Sequence, residues 1–243
     1  MSDRDRVVDA IVLRLVDYRD SDRIVTFLTP ELGRIAGIAR GARKSQRRFG
    51  GALQSASHVR LTLGPLRGDL HTVLGAELVE AHMGLLTDLA RLERAGFALA
   101  LLRDLVPEKH PEPEIFEATL HYLAAQAASP ASLPLLVAFQ LRVLCCLGLA
   151  PELGACVECG KSVPAGRPAL FDPRRGGLVC RACGGGPFLL SAGTLEALAL
   201  ASGSATPERL PTDAEAAEAE GALAAFLRIH APSLRNCGPQ GGF

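Results

Sequence analysis

Five short runs rich in Val, Ile and Leu open the chain, at residues 7–16, 23–29, 34–40, 57–63 and 70–79, separated by turn-forming or polar stretches. The fourth alternates most cleanly: Val59, Leu61 and Leu63 fall on one side and His58, Arg60 and Thr62 on the other. That period of two is the mark of a strand with one buried face. Pro30-Glu31-Leu32-Gly33, between the second and third runs, suits a tight hairpin connection. Gly75 inside the fifth run predicts a bulge of the kind that barrel closure uses. Five strands in the first 80 residues fit a small closed barrel. The OB-fold is the commonest five-stranded kind, and an SH3-like barrel gives the same strand pattern.

From residue 81 the period changes. Leu85, Leu86, Leu89, Leu92, Phe97, Leu101, Leu102 and Leu105 recur at three- and four-residue spacing, predicting helix as far as Val106-Pro107. A Pro-rich connector, 107–113, leads to a second helical pattern over 114–128. Ser132 caps a third helix that runs toward Gly148, a C-terminal stop. A short helix starts near Ser191, and Thr212 followed by Glu215 is a capping-box signature for a last helix to about His230. The resulting expectation is an α+β multidomain chain: a barrel over 1–80, a helical domain over 81–152 and 188–232, a small element over 153–187, and a flexible tail over 233–243.

Composition agrees with a folded, multidomain chain. Of 243 residues, 48% are hydrophobic and 21% charged, which excludes disordered or collagen-like classes. Lys+Arg and Asp+Glu are equal at 26, so no global charge announces a nucleic-acid or membrane partner. The distribution is uneven, with net positive charge in residues 1–80 and 156–183 and net negative charge elsewhere. The most apolar stretch, 133–149, is interrupted by Gln140 and Arg142 and reads as a buried helix rather than a membrane span. The first residues lack the apolar core of a signal peptide, so the expected location is the cytoplasm, where thiols stay reduced.

That compartment gives meaning to the cysteines. Cys156 and Cys159 form one C-x2-C pair and Cys180 and Cys183 a second, each followed directly by glycine, with 20 residues between the pairs. Two tight turns, each presenting two thiolates about a tetrahedral edge apart, complete a four-sulfur site for zinc. The intervening loop, rich in Pro and Gly, has too little apolar surface to fold alone, and metal supplies the missing cohesion. Four thiolates leave no open coordination position, so the expected cofactor is one structural Zn2+. Two thioredoxin-like dithiols are the competing reading, disfavoured because no βαβ pattern surrounds them. Lys161, Arg174, Arg175 and Arg181 either offset the tetrathiolate charge or contact an acidic partner. Cys145 and Cys146 read as core residues of the third helix, and Cys237 lies in the tail with no evident partner.

A second constellation lies in the barrel. Residues 31–60 hold Arg34, Arg40, Arg43, Lys44, Arg47, Arg48 and Arg60 against Glu31 alone. Five of these cluster between the third and fourth strands, in a loop whose glycines predict mobility and the ability to wrap a phosphate backbone. A merely solvated loop is the bland alternative; its place on a barrel whose face commonly binds single strands favours the functional one. Aromatic support is thin, with Tyr18, Phe27 and Phe49 in the barrel and no Trp in the chain, so weak base recognition and strong salt dependence are expected. Gly160-Lys161-Ser162 mimics the end of a phosphate-binding loop, but Ala155 stands where that motif needs glycine. Asp17, Asp20 and Asp22 sit beside Arg19 and Arg23 and read as a solvated turn rather than a magnesium site. The histidines lack metal spacing and no nucleophile has a recognisable setting, so the chain is not expected to be an enzyme.

The stretches AIVLRLVDYRDSDRIV (10–25), TPELGRIAGIARGARKS (29–45) and Asp69-Leu70-His71 resemble the bacterial RecO family of recombination mediators. FQLRVLCCLGLAPEL (139–153), followed by the cysteine pairs, resembles the same family's helical region and zinc element. The resemblance implies an OB-like N-terminal barrel, an α-helical domain and an inserted four-cysteine zinc element. It further implies binding of single- and double-stranded DNA and annealing of complementary strands. With RecR, and with RecF, such proteins help load RecA onto strands coated by single-strand DNA-binding protein. Carried onto this chain, it implicates Arg34, Arg40, Arg43, Lys44, Arg47 and Arg48 as DNA contacts and Cys156, Cys159, Cys180 and Cys183 as metal ligands. A protein-interaction adaptor with incidental DNA contact is the alternative function; a base-reading zinc module lacks a recognition-helix pattern between its cysteines.

Overall fold

A computed structural model describes residues 5–202 and 209–231. The chain divides into two compact units, Met1–Pro130 and Ala131–Phe243. The first is built on five strands: β1 (Arg6–Tyr18), β2 (Asp22–Thr29), β3 (Gly33–Ala39), β4 (His58–Arg67) and β5 (Leu70–Glu80). They close into a barrel in the order β1-β2-β3-β5-β4, with β3 and β5 parallel and the other pairs antiparallel. This order, with β1 bonded on both edges, is that of an OB-fold and decides against the SH3-like alternative.

Closure depends on β1. Residues Arg6–Ile11 pair with β4 and Ile11–Tyr18 with β2, and the strand changes register between Val12 and Arg14. A bulge at that step bends the strand around the barrel corner. One of the irregularities of the β4–β5 pair falls where Gly75 predicts it: Thr62 pairs with Gly75 but Leu63 with Val73. Inward positions of all five strands, among them Val8, Val12, Val25, Phe27, Ile35, Leu61 and Val73, make one buried core. The β2–β3 hairpin turns at Gly33, whose φ is +65°. A Cβ at Gly33 would collide with the His110 carbonyl, so glycine is required there twice over.

The β3–β4 connection differs from its sequence reading. It is not a free loop: a four-residue helix, α1 (Gln46–Phe49), and the turn after it deliver Phe49, Ala52 and Leu53 into the barrel core. Three apolar residues on the far side of the basic cluster seal the barrel, and the cations ride on that seal. A 3-10 turn over Met83–Thr87 then leads to α2 (Leu89–Leu105), capped by the Asp88 carboxylate accepting from Ala90 N–H, and α3 (Pro113–Ala128).

The second unit contains α4 (Leu133–Cys146), α5 (Ala192–Ser202) and α6 (Asp213–His230). Between α4 and α5 lies a small sheet of β6 (Ala169–Asp172), β7 (Gly177–Leu178) and β8 (Phe188–Leu190), ordered β7-β6-β8. Ser132 caps α4 and the Thr212–Glu215 capping box opens α6, both as predicted. Val137, Leu141, Leu198, Ala216, Ala219 and Leu223 form the core shared by the three helices. Within these two units α2 and α3 group with the barrel, and α4 to α6 with the cysteine element. Cys145 and Cys146, read as core residues, are only half-buried, because they occupy the last turn of α4. Among the described residues no helix is long and apolar enough to cross a membrane. The expected tail at 233–243 and Cys237 lie outside the described residues.

Candidate metal centre and nucleic-acid interface

Each cysteine pair is held by its own backbone turn. Cys156 N–H donates to the Lys161 carbonyl and Gly160 N–H to the Cys156 carbonyl, at 2.9 and 2.8 Å. In the second turn Cys183 N–H and Gly185 N–H both donate to the Cys180 carbonyl. Gly160 and Gly184, with φ of +70° and +101°, make these reversals without a Cβ clash. One residue of the first pair also meets the second pair directly, Cys180 N–H donating to Cys156 Sγ at 3.3 Å.

The four sulfurs all lie within 4.8 Å of one another, and Cys159 and Cys180 are 3.8 Å apart. With metal–sulfur bonds of about 2.3 Å a tetrahedral site has edges of about 3.8 Å, so the cluster fits a four-coordinate ion. Backbone N–H donors, Cys180 first and then Cys159, bring the Cys156 thiol down to about 6. The Cys183 thiol goes the other way, up to about 12, because hydrogen bonds with the Cys180 and then the Cys159 sulfur oppose its ionisation. Such a cluster sheds its first proton readily and holds its last one, and a cation at its centre reverses that resistance.

Of the four basic residues around the cluster, Arg175 has a structural task. It donates to the Cys183 carbonyl at 2.9 Å and pairs with Asp172 at 3.3 Å and Glu158 at 3.7 Å, tying both cysteine turns to β6. Lys161, Arg174 and Arg181 are exposed. The element rests on α6 through Phe171, Phe226 and His230, whose Nε2 lies 2.9 Å from the Pro173 carbonyl.

On the barrel, the structure gathers Arg40, Arg43, Lys44, Arg47 and Arg48 on the exposed side of the α1 seal. Arg48 lies along it, donating to the Arg40 carbonyl at 2.7 Å with its guanidinium 5.2 Å from the Phe49 ring centre. Within this group, among the described residues, only Arg43 has an ion-pair partner, Asp17 at a long 3.8 Å. Arg34 stands apart. It is half-buried, donates to the Val106 carbonyl at 2.8 Å and pairs with Glu108 at 3.0 Å, which makes it an internal brace.

The aspartates of the β1–β2 turn include two with structural tasks. Asp17 accepts from Arg23 at 3.0 Å, and Asp22 accepts the Gly41 N–H at 2.8 Å, anchoring the start of the basic segment. Phe27 and Phe49 are buried, leaving Tyr18 as the exposed barrel aromatic, with Arg19 5.1 Å above its ring. Sequence reasoning does not single out Arg14, Tyr18 and Arg19 as a group; the alternation Arg14-Val16-Tyr18 is the available signal.

Comparison with known proteins covers nearly the whole chain. Family models described as recombination protein O N terminal and recombination protein O C terminal match residues 4–82 and 86–235. A DNA repair protein RecO of Anaeromyxobacter dehalogenans is 41% identical over 237 residues, 93% of this chain and 92% of that one. That of Myxococcus xanthus is 38% identical over 229 residues, 91% of each chain. That of Geobacter sulfurreducens is 36% identical over 190 residues, 78% of this chain and 77% of the other.

Proposed function

Because this chain belongs to the recombination protein O family, whose curated relatives carry the name DNA repair protein, we propose that it is a non-enzymatic mediator that binds single- and double-stranded DNA and anneals complementary strands. The observation that carries this reading is the cationic cluster Arg40, Arg43, Lys44, Arg47 and Arg48, exposed on a folded support at the end of an OB-fold barrel. Annealing requires no covalent chemistry. A surface that neutralises the phosphates of two strands removes their repulsion and raises their local concentration, and base pairing then drives the reaction.

In this reading RecR, with RecF, is the partner with which the chain helps load RecA onto strands coated by single-strand DNA-binding protein. Cys156, Cys159, Cys180 and Cys183 hold one zinc ion, whose tetrathiolate shell is closed to substrate and whose contribution is to the folding of the second unit. The protein-interaction adaptor is the second reading, favoured by one observation: Met83, Leu86, Leu89 and Leu92 are exposed along the 3-10 turn and the start of α2. Titration of a labelled single strand at two salt concentrations separates them. Affinity that falls steeply with salt supports direct DNA binding, and no binding supports the adaptor.

A further inference from the structure

The cysteine cluster is unevenly covered. Cys156 is 3% exposed, and its sulfur accepts the Cys180 N–H at 3.3 Å. Cys180 and Cys183 are half-buried, whereas Cys159 is exposed. Val157, Glu158 and Gly160 around it are exposed as well, and nothing lies within 4 Å of the place that a Cβ on Gly160 would take. A reagent arriving from solvent therefore meets the Cys159 sulfur before the other three.

Across the cluster, that sulfur stands 3.8 Å from the sulfur of Cys180, in the other turn. A disulfide needs about 2.05 Å, so closing the pair takes a movement of under about 2 Å. The open ground around Gly160 gives the first turn room for it. Arg175 meanwhile keeps the two turns together, donating to the Cys183 carbonyl at 2.9 Å and pairing with Glu158, next to Cys159, at 3.7 Å. A bond from Cys159 to Cys180 joins the turns covalently, whereas a bond inside either C-x2-C pair closes only its own turn.

We propose that Cys159 is an oxidation site for peroxide and that its oxidised sulfur cross-links to Cys180. The inference rests on the proposed zinc centre and adds to it a reversible response to oxidants. In the first step the Cys159 thiolate attacks one peroxide oxygen. The S–O bond forms as the O–O bond breaks, and hydroxide departs, leaving a sulfenic acid on Cys159. The Cys180 thiolate then attacks the Cys159 sulfur, the S–S bond forms as the S–O bond breaks, and a second hydroxide departs. Two thiolates together lose two electrons, peroxide gains them, and two protons from solvent convert the hydroxides to water. Cys156 and Cys183 remain as two donors where a structural zinc site needs four, so the ion is released. The disulfide takes over its task of fastening one turn to the other, and the element keeps its fold without metal.

Hydrogen peroxide added to the full chain tests it, with zinc release followed by a coloured chelator and the cross-link by mass spectrometry. Cleavage after Glu158, Lys161, Arg175 and Arg181 puts Cys156, Cys159, Cys180 and Cys183 on four separate peptides, so each pairing has its own mass. Expected are a first dimedone adduct on 159–161, then 159–161 joined to 176–181, with about one zinc released per disulfide. Circular dichroism stays as before, and dithiothreitol with zinc restores the starting state. Cys159→His, which keeps four donors of kinds that zinc accepts, is expected to slow release at least about tenfold. A first adduct on another cysteine, a bond within one C-x2-C pair, or release at the wild-type rate from Cys159→His overturns the proposal. Where Cys159→His retains no zinc, the wild-type peptide masses decide. Zinc absent from the untreated chain overturns the metal reading instead, and those masses still decide the cross-link.

Discussion

The guanidinium of Arg34, on β3, donates to the carbonyl of Val106, the residue that ends α2, at 2.8 Å. Glu108 then holds the other side of the same group at 3.0 Å. One side chain thus satisfies a helix-end carbonyl and ties the connector after α2 to the barrel. Replacing it strands that carbonyl. Arg34→Ala is expected to cost about 1–3 kcal/mol in chemical denaturation and to leave the salt dependence of DNA binding unchanged. A lost increment of salt dependence with unaltered stability would return Arg34 to the DNA-contacting set.

The exposed cations have the opposite profile. Reversal of Arg43, Lys44 and Arg47 to Glu touches no buried group, and circular dichroism is expected to show normal folding. Annealing of complementary strands is lost. Each phosphate contact to a single strand contributes about −0.7 to the slope of log affinity against log salt, so the slope shrinks by about 2. Annealing at the wild-type rate would remove this cluster from the mechanism.

Phe49 links the two profiles, being 2% exposed inside the barrel while its neighbours Arg47 and Arg48 face out. Phe49→Ala is expected to destabilise the first unit by about 3–5 kcal/mol. Annealing falls as well, although no charge has been removed, because the cations lose their support. A variant destabilised to this extent that still anneals normally below its melting temperature would show that the support is dispensable.

The metal centre predicts about one zinc per chain by elemental analysis, and none after Cys156→Ser with Cys180→Ser. Since ligand thiols must ionise, protons compete with the ion. The Cys183 thiol, pushed up to about 12 without metal, makes the competition strong. Zinc retention against a fixed chelator is therefore expected to weaken steadily from about pH 8 to about pH 6. Retention that is flat across that range would argue against a tetrathiolate shell.

His58 gives the barrel a separate acid sensitivity. Its ring is edge-on to Phe116 with centres 5.9 Å apart, and Asp9 lies 3.5 Å from Nε2. Burial lowers its pKa below the ordinary 6.5, outweighing the attraction of Asp9. The unfolded chain then binds the proton more readily than the folded one, so stability is complete above about pH 6.5 and falls as pH drops toward the depressed value. Thermal melts of the wild type are expected to slope downward through that window, and His58→Gln to flatten them. Glu215, lowered by the Thr212 N–H and then by Arg209, adds a loss only at more acid pH, below its ordinary 4.5.

What the sequence discloses, and what it withholds, follows from the range of the interactions. Strand periodicity, the Gly75 bulge, the Ser132 and Thr212 caps and the cysteine spacing are local patterns, and each reappears in the structure. Arg34 reads as a phosphate contact from its neighbours in sequence, whereas its partners at 106 and 108 are distant along the chain. The seal of the barrel is hidden because Phe49, Ala52 and Leu53 follow a basic run that dominates the local composition. Arg175 is legible as a nearby charge, but its bond to the Cys183 carbonyl depends on the fold of the loop.

The bulge at the Val12–Arg14 step has a reach beyond barrel closure. It turns one strand into a border post, with its first half committed to the chain's own helices and its second half offered to the outside. Substitutions at Arg14, Val16 or Tyr18 can therefore accumulate without disturbing the helices that lean on Ile11 and Leu13.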